Sequence, residues 1–181
     1  AQYQSIKNEI DAAIQNVIND TAFIKGKYVK KFEDEYAEAY GVKHVISCAN
    51  GTDAIYITLK ALGIGPGDEV ITTASSWIST SETITQAGAQ VVFVDIDPNY
   101  YTIDTAMIEE KITERTKAII PVHLYGQPAN MLEIMNIANK YIIFFLLFVL
   151  LSSSMVITYV DAQNQKDRGF AWSKSNVDTL L

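Results

Sequence analysis

Cysteine is nearly missing from this chain: Cys48 is the only one in 181 residues, so no internal disulfide framework can form. That usage fits a reducing compartment and a cytoplasmic location. Cys48 closes a short apolar run, which marks it as a small buried side chain rather than a nucleophile. Basic charge is scarce as well. Fourteen Lys and Arg stand against 21 Asp and Glu, giving a net charge of −7 and a pI near 4.8, with the cations scattered along the chain. Phosphate backbones need basic surface, so a nucleic-acid partner is excluded. The two histidines, His44 and His123, are far apart with no Cys or carboxylate at ligand spacing, so no metal site is indicated. No Gly-x-Ser-x-Gly turn is present, which removes that nucleophile pattern. There is no signal-peptide pattern, internal repeat or low-complexity linker. The missing initial methionine is what a processed or excised piece would show.

What the chain does have is 49% apolar residues, enough to bury a core, arranged in two alternating periods. Ile6, Ile10, Ile14 and Val17-Ile18 recur at helix spacing, and Val29, Phe32, Tyr36 and Ala39 mark a second helix from Val29 to Tyr40, ending at Gly41. Strand-like runs follow at His44–Ser47, Glu69–Thr73, Val91–Val94 and Lys117–Val122. Helical stretches alternate with them at Thr52–Leu62, Ile78–Ala87, Thr105–Lys111 and Asn130–Lys140. Short strands alternating with helices predict an α/β fold with a parallel sheet covered on both faces, and ligands in such sheets bind at the carboxyl ends of the strands.

One of those ends carries Cys48-Ala49-Asn50-Gly51-Thr52-Asp53-Ala54. A strand that turns through Asn-Gly straight into a helix leaves the first helical N–H groups without partners. Gly51 permits close approach, while Thr52 and Asp53 add side-chain hydrogen-bonding groups. Free donors at the positive end of a helix dipole favour an anion, typically a phosphate. An ordinary helix cap is the plainer reading of the same residues.

Further pieces follow in order: Gly63-Ile64-Gly65-Pro66-Gly67-Asp68-Glu69-Val70-Ile71-Thr72, Ser76-Trp77-Ile78-Ser79-Thr80, Gly88–Asp97, and Thr116–Gln127 with its Pro121-Val122-His123-Leu124-Tyr125-Gly126-Gln127 turn. From Ala1 to about Lys140 the chain resembles the DegT/DnrJ/EryC1/StrS family, the aminotransferases of nucleotide-sugar pathways that depend on pyridoxal 5'-phosphate. The resemblance implies the first part of a fold-type-I transferase large domain, a three-layer parallel-sheet architecture, here truncated. It also implies transfer of an amino group from glutamate to a keto-sugar nucleotide, closest in wording to members acting on UDP- or dTDP-linked sugars, by a homodimer.

Such a cofactor needs a phosphate cradle, a flat face for its ring, a carboxylate on the pyridine nitrogen and a Schiff-base lysine. The resemblance places the cradle at Gly51, Thr52 and Asp53 and the ring-stacking aromatic at Trp77, whose other reading is a half-buried core aromatic. His123, in its turn at a strand's carboxyl end, would line the cavity. Asp161 in Tyr159-Val160-Asp161-Ala162-Gln163-Asn164 is a displaced echo of the family's acidic motif. Lys174 in Ser173-Lys174-Ser175-Asn176 echoes the lysine context, only thirteen positions later. Lys60 and Lys117 match no family lysine position, so the catalytic residues are left unassigned and no turnover is expected.

The texture changes at Tyr141. The stretch YIIFFLLFVLLSSSMVITYV, Tyr141–Val160, holds no charge, Gly or Pro. Its length matches a membrane-spanning helix, which needs about 20 predominantly apolar residues, although Ser152–Ser154 and Thr158 weaken the pattern. Three segments are therefore expected: 1–140 as the aminotransferase part, 141–160 as a transmembrane helix or an aberrant junction, and 161–181 as a polar tail. A remnant without catalysis and a membrane-anchored binding protein are the alternatives to an enzyme.

Overall fold

The computed structural model describes residues 2–141, 143–145, 147–151 and 155–159, the backbone alone for 144–145, 147–151 and 155–159. They fall into two compact units, one up to Ser47 and one from Cys48 onward.

The first unit is helical: α1 (Gln2–Ser5), α2 (Lys7–Asn19) and α3 (Lys27–Tyr40). Phe32, Tyr36 and Tyr40 follow one another along α3, with Tyr36 and Tyr40 stacked at 4.3 Å between ring centroids. Gly41 ends α3 in the left-handed conformation (φ 64), its N–H donating to the Glu38 carbonyl and that of Val42 to Ala37. The strand expected at His44–Ser47 does not form. The Ser47 N–H and hydroxyl both donate to the Glu33 carboxylate, at 2.9 and 2.8 Å, so a side chain takes the bond that a neighbouring strand would have needed.

The second unit is a parallel α/β sheet. Its strands are β1 (Glu69–Thr73), β2 (Gln90–Val94), β3 (Thr116–Ile120) and β4 (Phe144–Phe145), ordered β2-β1-β3-β4 and all parallel. The helices are α4 (Gly51–Ala61), α5 (Ser79–Ala87) and α6 (Met131–Tyr141). Alternation along the central strands sends Val70, Ala118 and Ile120 to one face, where Ala54, Ile55 and Leu59 of α4 and Ile84 and Ala87 of α5 cover them. Ile71 and Ile119 point the other way, against Ile103, Ile108 and α6 residues Ile134, Ile137 and Ala138. Both faces are dry, as a parallel sheet requires. At the amino edge, the nearly buried Glu69 carboxylate accepts from the Thr113 hydroxyl at 2.6 Å and pairs with the Arg115 guanidinium.

Two further expectations need correction. Thr105–Lys111 is not one helix but two single 3-10 turns, Thr105–Met107 and Glu109–Lys111, the first capped by the Asp104 carboxylate on the Ala106 N–H. In the apolar stretch from Tyr141 the described residues form strands, not the expected transmembrane helix. Tyr141 ends α6, β4 then pairs with β3, and β5 (Leu147–Leu151) pairs antiparallel with β6 (Met155–Tyr159). Among the described residues no helix is long and apolar enough to cross a membrane. The physical reason is composition: Phe, Val, Ile, Thr and Tyr in these segments favour pleated pairing.

Candidate functional site

The carboxyl edge of the sheet is where the expected site residues gather. Asn50 takes extended backbone (φ −165, ψ 177) and caps α4: its Oδ1 accepts from the Asp53 N–H at 2.9 Å. Its Nδ2 donates to Asp53 Oδ2 at 3.0 Å, and its carbonyl accepts from the Ala54 N–H. The Asp53 N–H is therefore spent within the cap. The N–H groups of Gly51 and Thr52 have no acceptor among the described residues, and they stand at the positive end of the α4 dipole.

Beside them lies a pair of hydroxyls that the sequence reading did not assign. Thr52 Oγ1 donates to Ser79 Oγ at 2.8 Å, linking the first turns of α4 and α5 across 27 residues. Ser79 is buried and its own hydroxyl proton has no other acceptor among the described residues, so it remains available as a third donor. Ser76 and Thr80 form a second hydroxyl pair at 2.9 Å. Sequence spacing could not have paired Thr52 with Ser79, although the Ser-x-x-Ser-Thr run after a strand was visible.

Trp77 sits in the loop after β1. It is 74% exposed, which rejects the core reading and leaves its indole face open. His123 follows β3 at the same edge. It is half-buried, and burial pushes its pKa below the ordinary 6.5. Its Nδ1 accepts from the Ala129 N–H at 3.0 Å. Cys48 is half-buried with its thiol donating to the Asn50 carbonyl at 3.4 Å, and burial raises its pKa, which suits a packing role.

The remaining sequence candidates lie elsewhere. Lys60 is in the last turn of α4, about 15 Å along the helix from the cap. Lys117 is at the amino end of β3, its ammonium on the Glu114 carbonyl. His44 is exposed in the helical unit. Asp161 and Lys174 lie outside the described residues. Among the described residues no group of His, Cys, Asp and Glu is placed to hold a metal ion.

The donor set fits a phosphate-bearing aromatic ring: two free backbone N–H groups and a serine hydroxyl for the phosphate, an open indole for the ring. A lysine for the ring's carbonyl is not found beside them among the described residues.

The model of the DegT/DnrJ/EryC1/StrS aminotransferase family matches residues 4–147. A "Pleiotropic regulatory protein" of Geobacillus stearothermophilus is 52% identical over 140 residues, 77% of this chain and 38% of that protein. The "UDP-2-acetamido-2-deoxy-3-oxo-D-glucuronate aminotransferase" of Pseudomonas aeruginosa is 51% identical over 140 residues, 77% of this chain and 39% of that protein. The crystal structure of NtdA from Bacillus subtilis with bound cofactor PMP superposes with a TM-score of 0.76 at 39% identity, over 78% of this chain and 32% of that one. The chain thus spans under two fifths of the length of the curated relatives it matches.

Proposed function

Because the chain belongs to the DegT/DnrJ/EryC1/StrS aminotransferase family, we propose that it carries the cofactor-phosphate part of a cytoplasmic, homodimeric nucleotide-sugar aminotransferase. The substrates are glutamate and a keto-sugar nucleotide, and the cofactor is pyridoxal 5'-phosphate. The observation that carries this reading is the set of unpartnered donors at the α4 N-terminus, set beside the exposed indole of Trp77.

Gly51 and Thr52 donate backbone N–H bonds to the phosphate oxygens. Ser79, its hydroxyl oxygen already occupied by Thr52, turns its proton toward the same oxygens. Asp53 acts through the cap, holding Asn50 and so the first turn of α4 in place. Trp77 supplies a flat apolar face that shields one side of the ring from water. When bound, pyridoxal phosphate supplies the electron sink for moving an amino group. With no matching lysine beside these residues among the described ones, the chain alone binds the cofactor and shows no amino-transfer turnover.

The test is a titration of the folded chain with pyridoxal phosphate, read by tryptophan fluorescence. The sequence holds one other indole, Trp172, so a Trp172→Phe background isolates Trp77. Saturable quenching of that single indole is the expected result. A folded sample that shows no quenching removes the site.

A further inference from the structure

His123 is held from two directions. Its carbonyl accepts from the Gly126 N–H at 3.2 Å, closing a turn in which Tyr125 and Gly126 both adopt left-handed backbone (φ 54 and 82). The chain then returns and the buried Ala129 donates its N–H to His123 Nδ1 at 3.0 Å. A backbone N–H can only donate, so Nδ1 must present its lone pair and the single ring proton of the neutral form sits on Nε2. Protonating the ring would set a hydrogen on Nδ1 against the Ala129 N–H, so this geometry keeps the ring neutral. The fold thus fixes the tautomer and leaves one donor, Nε2–H, with no acceptor among the described residues. That donor sits at the end of β3, next to β1 in the sheet, on the edge where β1 runs on to Ser76 and Trp77. A half-buried donor without an acceptor costs free energy unless something supplies one.

We infer that His123 is a ligand-binding residue whose Nε2–H donates to an anionic oxygen of the phosphate-bearing ring bound at Gly51 and Thr52. The inference rests on the function proposed above. Two oxygens share the required chemistry, one on the phosphate and one on the ring, and the test separates them.

The full chain carrying Trp172→Phe is the parent for two measurements. In the first, two-bond proton–nitrogen NMR of histidine-labelled protein, with His123→Gln for assignment, reads the tautomer. A neutral ring with its proton on Nε2 is expected. A proton on Nδ1 overturns the inference with no ligand needed. In the second, pyridoxal phosphate is titrated into the parent, His123→Phe and His123→Gln, each checked for folding by circular dichroism. His123→Phe should raise the half-saturation concentration about tenfold, the scale of a lost hydrogen bond to a charged group. His123→Gln retains an N–H donor and should recover most of that loss.

If Trp77 responds but His123→Phe titrates like the parent, the inference falls and the proposed function stands. No response in the parent ends both. Inorganic phosphate and unphosphorylated pyridoxal, added separately, show which oxygen accepts by which of them moves the His123 nitrogen signal. Movement by neither, while pyridoxal phosphate quenches Trp77, overturns the inference.

Discussion

Burial holds the His123 pKa below the ordinary 6.5, which makes this side chain a sensor of acid stability. The unfolded chain takes up the proton near pH 6.5 and the folded chain only at lower pH. Across that window the unfolded state binds more protons, so stability is complete above about pH 6.5 and falls as the pH drops through it. The carboxylates held low by their lysines, Asp11 by Lys7, Asp20 by Lys27 and Glu109 by Lys140, lose their contribution only further down, below about pH 4. Melting temperatures measured between about pH 7.5 and 5 should therefore decline in the parent, and His123→Gln should flatten that decline. An unchanged slope would mean that another group sets it. At this scale the sequence was partly readable. Asn50 announces a cap by its type and position, but Ser79 lies 27 residues from Thr52, and only the fold makes them partners.

Among the elements, the end of α5 is constrained by backbone geometry. Gly88 has φ +93, and a Cβ there would come within 3.0 Å of the Cγ and Cδ atoms of Pro66, a ring that cannot rotate away. Gly88→Ala combines left-handed strain with that clash and should cost about 2 kcal/mol in a denaturant midpoint experiment. A loss under about 0.5 kcal/mol would show that the loop before β1 yields instead. The α-helices and strands β1, β2 and β3 were legible because their apolar periods are strong and helix ends carry Gly or Asn, as at Gly41, Gly88 and Asn50. His44–Ser47 misled because an apolar run says nothing about who bonds its backbone, and here Glu33 does. The stretch from Tyr141 misled because continuous hydrophobicity does not by itself tell a helix from strands, and its β-branched and aromatic content was the clue to pairing. Of the candidate site, the open N–H groups at the start of α4 and the place of Trp77 after β1 could be read from motif order, whereas the tautomer of His123 depends on a partner six residues away that has no signature in sequence.

For the molecule as a whole, the outermost strand matters most. Among the described residues β2 pairs only with β1, and its Phe93 is 51% exposed. An open strand edge with an exposed aromatic invites pairing with another chain, and a lysine there blunts it. Phe93→Lys should lower concentration-dependent association in sedimentation velocity while leaving the circular dichroism spectrum intact; equal association in both would locate the contact elsewhere. The strand order also has a consequence in time. β1 lies at the centre of the sheet yet is made before both of its neighbours, and β2 completes one side of it through the short crossover of α5. Its other side waits for β3. The 47 residues from Ala74 to Ile120 take roughly 2–9 s to synthesise on a ribosome. During that interval Val70 and Ile71 belong to a half-built sheet whose free flank can be matched only by chain not yet made, an open edge of the kind that pairs with other chains.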